Sequence, residues 1–309
     1  MVAMSIFTIL LGFMMLLVDG VQKAWTRGEQ LVEVQQNGRA TLEIISRELA
    51  LAEVSPRLQM VQNPALNTVL PNFDTSSDSL FWVAPLYSTS RGNQCGVGYY
   101  LTRDPAKGQY RLNRFYVQPD NPDGYYLVGK NTAAPFSAAW VTALPAQAFD
   151  VSTSNTKRAA SIVSDGVIAM WIQCFDLAGN PIPALSAESQ YGAASPIKFN
   201  SAAAFRMAAP PDAFPSGKTF RYTAPPPANP GFPTGNPVPA NRLPPTVEIT
   251  LLMLDSRTLK GAPAIPARPA PGTDDVPTQI QKYKDLLAAA GIKKVTTFST
   301  RTNLLNSTP

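Results

Sequence analysis

The sequence predicts an α+β fold in which one long N-terminal helix packs on an antiparallel β-sheet. No proline occurs before Pro56 in the 309-residue chain, and apolar residues in this part recur with a helical period. After Pro56 the apolar spacing changes to short extended runs separated by turn residues, which indicates strands. Proline-rich stretches late in the chain predict loop insertions into this sheet.

Residues 1–18 form an uncharged, mainly apolar segment that ends before Asp19, the first charged residue. At about 1.5 Å per residue the segment spans about 27 Å, close to the thickness of a bilayer core. A signal peptide has a shorter apolar region followed by a small-residue cleavage site, a pattern that this stretch lacks. We therefore interpret residues 1–18 as a transmembrane helix.

Residues 19–55 are predicted to continue the same helix as an amphipathic segment. Between Gln22 and Ala52 only Gly28 and Gly38 interrupt good helix formers, and Ser55 followed by Pro56 marks the expected end. One helical face is apolar, and we expect it to pack on the sheet, whereas the charged residues fall mostly on other faces. The residues assigned to this packing face are Leu31, Val34, Leu42, Ile45 and Leu49.

Residues 56–309 are predicted to form one β-rich globular domain. Its expected strands are Ser79–Pro85, Gly96–Thr102, Gln109–Val117, Gly166–Asp176, Val247–Leu254 and Val295–Leu305, with an edge strand at Gly124–Val128. The alternate positions Ile168, Met170, Ile172 and Cys174 are expected on one face of the fourth strand. A short helix over Thr278–Ala290 is expected between the last two strands.

Two proline-rich segments are expected to be loops of this domain. Residues 209–245 contain twelve prolines, too many for a packed sheet or helix, and residues 261–277 form a second such segment. A stiff surface linker explains both segments more simply than a ligand for a proline-binding domain does.

The composition argues against an enzyme. The chain has no histidine, which excludes nucleophile systems that depend on an imidazole base. Its net charge of +5 is scattered, so no nucleic-acid partner is expected. The acidic pairs Asp74/Asp78 and Asp274/Asp275 lie in loop-like sequence and are interpreted as solvated. We therefore assign no catalytic, metal-binding or cofactor-binding residue.

Aromatic residues are dense between positions 80 and 130 and leave an alternative function open. They are Trp82, Tyr99, Tyr100, Tyr110, Phe115, Tyr116, Tyr125 and Tyr126. Such a set could form a carbohydrate-binding face on a membrane-anchored, exported β domain. Packing between strands and the core explains the same residues more simply.

The two cysteines, Cys95 and Cys174, lie in separate predicted strands. Export of the domain into an oxidising compartment favours a disulfide between them. The alternative is two buried thiols.

Several stretches resemble minor pilins of the W type and minor pseudopilins of the J type, within the type IV pilin family. MVAMSIFTILLGFMMLL is similar to the apolar helix of prepilin-like proteins, and QQNGRATLEIISRELALA to the amphipathic helix that follows it. The segments SDSLFWVAP, VGYYLTRDPAKGQYRLNRFYV, SDGVIAMWIQCFDLAGNPI and LPPTVEITLLMLD resemble the strands of that family, as does the closing TTFSTRTNLLN. The resemblance covers most of the chain outside the proline-rich segments.

The resemblance implies a structural subunit that initiates or caps a type IV pilus or a type II secretion pseudopilus. Its globular domain would lie in the periplasm or in an extracellular filament. The helix would leave the lipid of the bacterial inner membrane for a bundle with other pilin subunits, helped by an inner-membrane assembly platform. The helix residues assigned to lipid and bundle contacts are Ala3, Ser5, Ile6, Thr8, Leu11, Gly12 and Met15.

The resemblance also implies a missing N-terminus. Family precursors carry a short basic leader, a Gly/Phe processing site and a nearby glutamate upstream of the apolar helix. None of these precedes Met1, so we expect the sequence to be truncated at its N-terminus. The resemblance leaves open whether the machine is a pilus, a secretion system or a DNA-uptake apparatus.

Overall fold

The fold is described from a computed structural model, which defines most of the predicted elements. The residues described are 2–54, 59–64, 66, 72–86, 94–104, 109–119, 139–142, 144–151, 159–176, 178–182, 198–201, 204–207, 220–223, 243–255, 258–259, 265–269 and 274–306. The predicted edge strand Gly124–Val128 and most of the residues in 209–245 lie outside them. The predicted α+β class, with a long N-terminal helix on antiparallel sheets, is confirmed.

Helix α1 is continuous over Val2–Ala50, with no break near Gly20. It ends five residues before Ser55, the end predicted from the sequence. The cause is a competing backbone interaction, because Glu53 forms an isolated antiparallel bridge with Val83 and its N–H donates to the Val83 carbonyl at 2.7 Å. The chain thus leaves the helix in order to pair with a strand.

The first sheet has six strands and contains the predicted meander. Its strands are β1 (Val61–Gln62), β2 (Leu80–Pro85), β3 (Gln94–Arg103), β4 (Tyr110–Val117), β5 (Ala160–Ser164) and β7 (Phe199–Asn200). They lie in the order β5-β4-β3-β2-β1-β7, and all neighbours are antiparallel. Two short helices, α2 (Ala139–Thr142) and α3 (Ala146–Phe149), precede β5.

The second sheet consists of β6 (Val167–Phe175), β10 (Thr246–Met253) and β11 (Thr296–Asn303). These three strands are antiparallel and lie in the order β11-β10-β6. Helix α4 (Val276–Ala289) lies between β10 and β11 in the chain, as predicted. Its start is fixed by Asp275, whose carboxylate accepts a hydrogen bond from the Thr278 N–H at 3.0 Å.

Three apolar clusters fill the space on both faces of the two sheets. The central cluster lies between the second half of α1 and the inner faces of both sheets, and includes Ile45, Trp82 and Ile249. A second cluster covers the outer face of the first sheet with α2 and α3, through residues such as Trp140 and Phe149. A third joins the second sheet to α4. The globular part therefore buries both faces of each sheet.

Strand β6 departs from the simple alternation predicted for it. Met170, Ile172 and Cys174 face the central cluster, but Ile168 belongs to the cluster under α4. The pairing with β10 shifts register at Leu252/Met253, where Met253 pairs with Val167 and Ile168 is skipped. This β-bulge turns Ile168 to the opposite face.

The proline-rich segment 209–245 is not wholly irregular. Strand β9 (Phe220–Thr223) lies within it and pairs with β8 (Ala204–Met207). The prediction of a loop throughout is wrong here because these four residues contain no proline and favour extended structure. In the segment 261–277, residues 265–269 form neither helix nor strand, as expected, and Tyr283 donates to the Pro266 carbonyl at 2.9 Å.

At Gly38, α1 lies close against β11 of the second sheet. A Cβ placed on Gly38 would lie 2.5 Å from the Phe298 ring of β11. We expect Gly38→Ala to lower the free energy of unfolding by about 1–3 kcal/mol, because helix and strand must separate. The measurement is urea unfolding of the full chain in detergent. Gly28→Ala is the control, because the site has nothing within 4 Å, and an equal effect of both changes would contradict the prediction.

Candidate functional site

The N-terminal part of α1 is the main exposed apolar surface in the described part of the chain. Its large exposed side chains are Met4, Ile6, Phe7, Ile9, Leu10, Leu11, Phe13, Met14, Met15, Leu16, Leu17, Val18, Val21, Trp25, Leu31 and Val32. Outside α1, the described residues expose only Ile162, Leu286 and Leu305 among large apolar side chains. An 18-residue window in Ile9–Ala50 has a mean hydropathy of 1.3 and buries none of its residues. By length and composition, α1 can cross a membrane.

The residues assigned to lipid and bundle contacts all lie in this part of α1. Ile6, Leu11 and Met15 are exposed. Gly12 is exposed too, with nothing within 4 Å of where a Cβ would stand. Ala3, Ser5 and Thr8 are helical, but the surroundings of their side chains lie outside what the structure describes. Their contacts with lipid or with other helices stay predictions.

A band of paired polar side chains follows the apolar segment. Lys23 and Asp19 form an ion pair at 2.6 Å, one helical turn apart. The Trp25 indole N–H donates to a Glu29 carboxylate oxygen at 2.6 Å. In each pair the two polar groups form their contact within the helix. Trp25 is exposed just beyond the apolar segment, a position typical of the membrane–water interface.

The second half of α1 packs on the sheets through four of the five residues assigned to this face. Val34, Leu42, Ile45 and Leu49 are buried in the central cluster. Leu31 is 58% exposed, so its assignment to the packing face is wrong. The apolar face of the helix extends further toward the N-terminus than the globular part does. Val34 is the first buried side chain among the α1 residues whose burial is described, so Leu31 lies beyond the sheets.

A partly buried ion pair fixes this half of the helix to the first sheet. Arg114 of β4 donates to both carboxylate oxygens of Glu48, at 2.6 and 3.0 Å, and the Tyr99 hydroxyl donates to Glu48 at 2.7 Å. The Trp82 indole N–H donates to the Glu48 backbone carbonyl at 3.3 Å. We call Glu48, Arg114 and Tyr99 the helix clamp.

Arg114 keeps its charge in the helix clamp although it is partly buried. Burial alone would lower the pKa of Arg114, but the hydrogen bonds and negative charge of Glu48 raise it above its usual value. Burial, and next the Glu48 charge, raise the pKa of the Tyr99 hydroxyl, so Tyr99 remains a donor. The clamp therefore holds the Glu48 carboxylate between two hydrogen-bond donors, the Arg114 guanidinium and the Tyr99 hydroxyl.

Comparison with solved structures finds chains of similar structure. No protein-family model and no curated protein sequence matches this chain. Among solved structures, a type IV-like pilin from Thermus thermophilus is similar, at 12% sequence identity and a TM-score of 0.35. The similarity covers 90% of this chain and 100% of that pilin.

The two cysteines are free thiols, so the expected disulfide is not formed. Cys95 lies in β3 and Cys174 in β6, strands of different sheets. Each has its own polar neighbour: the Cys95 sulfur lies 3.3 Å from the Tyr116 hydroxyl, and the Cys174 thiol donates to Gln62 at 3.8 Å. Burial raises the pKa of both thiols, which keeps them protonated and unreactive.

The aromatic residues between positions 80 and 130 do not form a carbohydrate-binding face among the described residues. Trp82, Tyr99, Tyr100, Tyr110 and Phe115 are all buried in the apolar clusters. Tyr116 is partly exposed, with the Arg114 guanidinium 4.7 Å from its ring centre. Tyr125 and Tyr126 lie outside the described residues. The strand-packing interpretation therefore holds for the described members.

Asp78 is buried, contrary to the expected solvated loop, and it joins the two sheets. Its carboxylate accepts from the Lys198 ammonium at 2.7 Å, the Asn63 amide at 3.0 Å and the Ile172 backbone N–H at 2.9 Å. Burial opposes ionisation, but the charges of Lys198 and Arg268 and these hydrogen bonds lower the pKa of Asp78 overall. Asp78 thus has a structural role as an anion.

Asp74 is buried as well, so the expectation of a solvated pair is wrong for both members. Its carboxylate accepts from the Ser76 N–H and hydroxyl, at 3.0 and 2.6 Å. Among the described residues, no group of three or more acids or cysteines is placed to hold a metal ion. Sequence reasoning overlooked the buried charges of Glu48 and Asp78 and the partly buried charge of Arg114.

Proposed function

We propose that this chain is a minor pilin or pseudopilin, a structural subunit rather than an enzyme. One observation carries the proposal: a single unbroken helix has an exposed apolar half and a second half fixed to an antiparallel sheet. The resemblance of its sequence to W- and J-type minor subunits supports the same assignment.

The exposed half of α1 requires a partner on physical grounds. Apolar surface of this extent is unfavourable in water and marks a membrane or protein contact. Before assembly, lipid would cover the apolar segment, with the globular domain in the periplasm. After assembly, helices of other pilin subunits would replace the lipid, and small residues such as Gly12 would permit close approach.

The second half of α1 connects the apolar segment to the globular domain. The helix clamp and the central cluster hold the helix rigidly against the domain, so a pull on the apolar segment would move the whole subunit. We propose assembly or capping of a type IV pilus or a type II secretion pseudopilus, with the inner-membrane assembly platform as a further partner.

The proposal predicts that Leu11→Arg prevents membrane integration without unfolding the domain. An arginine near the middle of the apolar segment costs about 2.5–3.5 kcal/mol of insertion free energy. We expect the full chain to resist alkaline carbonate extraction from bacterial inner membranes, and the variant to be largely extracted. Gln30→Arg is the control, because it lies beyond the apolar segment.

Filament recovery tests the assembly step. In a host that assembles the machine, we expect the unchanged chain in the sheared filament fraction and the Leu11→Arg chain to be missing from it. A chain that stays entirely in the membrane while filaments form would contradict the pilin proposal and favour a simple anchor.

A further inference from the structure

Strand β11 has a free side, which we call the β11 edge. The Leu304 N–H donates to the Pro245 carbonyl at 3.0 Å, which extends the ladder between β10 and β11 by one residue. Hydrogen-bonded and non-hydrogen-bonded residues alternate along an antiparallel ladder. The residues whose N–H and C=O therefore point away from β10 are Thr297, Ser299, Arg301 and Asn303. No backbone group in the described part of the chain pairs with this side of β11.

Side-chain contacts agree with this alternation. Opposite side chains lie closest in the non-hydrogen-bonded pairs of an antiparallel ladder. The Thr250 and Ser299 hydroxyls share a hydrogen bond at 2.9 Å, and Arg301 donates to the Glu248 carboxylate at 2.6 Å. Both residue pairs stand directly opposite each other in the register. The backbone groups of Ser299 and Arg301 therefore face the β11 edge.

The other edges of the two larger sheets are protected. Strand β7 has only two residues, and β5 pairs with β4 across a break in register. On the free side of β6, the Ile172 N–H donates to Asp78 at 2.9 Å, and the Cys174 carbonyl accepts from the Ile182 N–H at 2.8 Å. Short length, irregular pairing and covering groups are common ways in which proteins prevent an edge from pairing with another chain.

The β11 edge lacks these protections among the described residues. The strand pairs with β10 over eight residues without a register shift and contains no proline. Ser299, Arg301 and Asn303 are exposed. The Arg301 guanidinium lies 4.4 Å from the ring centre of Phe175 and pairs with Glu248, so this charge lies over the sheet instead of blocking the edge. The strand can therefore accept a further strand.

The charge beside the β11 edge favours an acidic partner. Residues 286–309 contain no aspartate or glutamate, and Lys293 and Lys294 immediately precede β11. Both lysines are exposed, and neither forms an ion pair with a described residue. An acidic residue at this end of an added strand would meet two positive charges that have no counter-ion.

The β11 edge of a second copy of this chain is a poor partner. Helix α1 and β11 run in the same direction, because Gly38 lies against Phe298 and the Ser46 hydroxyl lies 2.8 Å from the Thr302 hydroxyl. Two antiparallel β11 strands would point their α1 helices in opposite directions, so the helices could not enter one membrane from the same side. Two parallel β11 strands would bring the lysine pairs of both copies together, which is unfavourable.

We propose that the β11 edge binds an extended acidic segment of another protein, which adds a fourth strand to the second sheet. The added strand is antiparallel to β11, the more stable arrangement. Its main chain bonds to Ser299, Arg301 and Asn303, and acidic residues at its C-terminal end pair with Lys293 and Lys294. The inference depends on the second sheet and not on the proposed function.

Hydrogen exchange resolved to single residues tests the β11 edge. The full chain is measured in detergent, alone and with the synthetic peptide TVTVTVDD or its basic counterpart TVTVTVKK. In the chain alone, we expect the Ser299 and Arg301 N–H groups to exchange about tenfold faster than the Thr300 N–H, which is bonded to β10. We expect TVTVTVDD to slow the exchange of Ser299 and Arg301 about tenfold, and TVTVTVKK to leave it unchanged.

Two variants separate the backbone contribution from the charge contribution. Ser299→Pro removes an outward N–H but no hydrogen bond to β10, and we expect it to abolish the protection of Arg301 by TVTVTVDD. Ser299→Thr keeps both the N–H and a hydroxyl and is the matched control. Lys293→Glu combined with Lys294→Glu lies outside the strand, so it tests the proposal even where Ser299→Pro fails to fold. We expect this double variant to be protected by TVTVTVKK instead of TVTVTVDD.

Three results would overturn the proposal. Slow exchange of Ser299 and Arg301 in the chain alone, at every protein concentration, would show that another part of the chain covers the β11 edge. Protection that grows with protein concentration in the absence of peptide would identify a second copy as the partner. Equal protection by both peptides, or by neither, would exclude an acidic extended segment. Each result leaves the membrane and filament predictions for Leu11→Arg unchanged, because they concern only the apolar segment of α1.

Discussion

Glu48→Ala is expected to lower the free energy of unfolding by about 3–5 kcal/mol, because it leaves the charge of Arg114 buried without its partner. The Arg114 side chain is only 24% exposed, and the Tyr99 hydroxyl also loses its acceptor. Urea unfolding of the full chain in detergent, followed by tryptophan fluorescence, measures the change. Trp82 donates to the Glu48 backbone and reports directly on this part of the core.

A matched control and a double variant separate the loss of the Glu48–Arg114 contact from the loss of a charge alone. Glu43→Ala removes an exposed glutamate from the same helix and is expected to change stability by less than about 0.5 kcal/mol. Arg114→Ala combined with Glu48→Ala removes both charges and should cost less than the sum of the single changes. Additive single effects would show that the helix clamp does not couple α1 to β4.

Asp78→Asn is expected to have an effect of the same size, about 3–5 kcal/mol, through a different connection. Asp78 joins the segment before β2 to β6 through the Ile172 N–H, and it neutralises Lys198. The amide keeps the shape but removes the charge, so Lys198 stays partly buried without a counter-ion. Asp165→Asn is the control, because its ion pair with Arg111 is exposed and contributes little.

Because its pKa is lowered, Asp78 also makes the free energy of unfolding depend on pH. A carboxyl group with a lower pKa in the folded state stabilises above its unfolded value of about 3.9. That contribution is lost as pH falls through the folded-state pKa. We therefore expect the stability of the unchanged chain to fall below about pH 4 more steeply than that of Asp78→Asn. Parallel curves for the two chains would contradict the assignment.

The sequence was most informative where one physical pattern dominates. The strand predicted over Val247–Leu254 is observed as β10 (Thr246–Met253), whose alternate residues Val247, Ile249 and Leu251 face the central cluster. The continuous α1 followed from good helix formers without proline. Both patterns are local, so they need no knowledge of distant neighbours.

Features that depend on tertiary neighbours could not be predicted in the same way. The exposure of Leu31 depends on where the sheet ends, and the bulge at Ile168 on pairing with β10. Short strands such as β1 and β7 exist because of their partners and carry little signal of their own.

The helix clamp did leave a signal in the sequence, although it was overlooked. Arg114 shares its strand face with Leu112 and Tyr116, both of which pack in the central cluster. An arginine that points inward requires a buried acid, because an unpaired charge there is costly. The position of Asp78 gave no comparable signal, since the residues around it resemble an ordinary polar loop.

The length of α1 beyond the globular part makes the helix a lever. From Val2 to Val32 the projecting part measures about 46 Å, so tilting the helix by about 10° where it leaves the domain would displace its far end by about 8 Å. That displacement is close to the spacing between two packed helices. A small tilt of α1 near Val34, where the helix leaves the globular part, would therefore shift its far end by about the width of one packed helix.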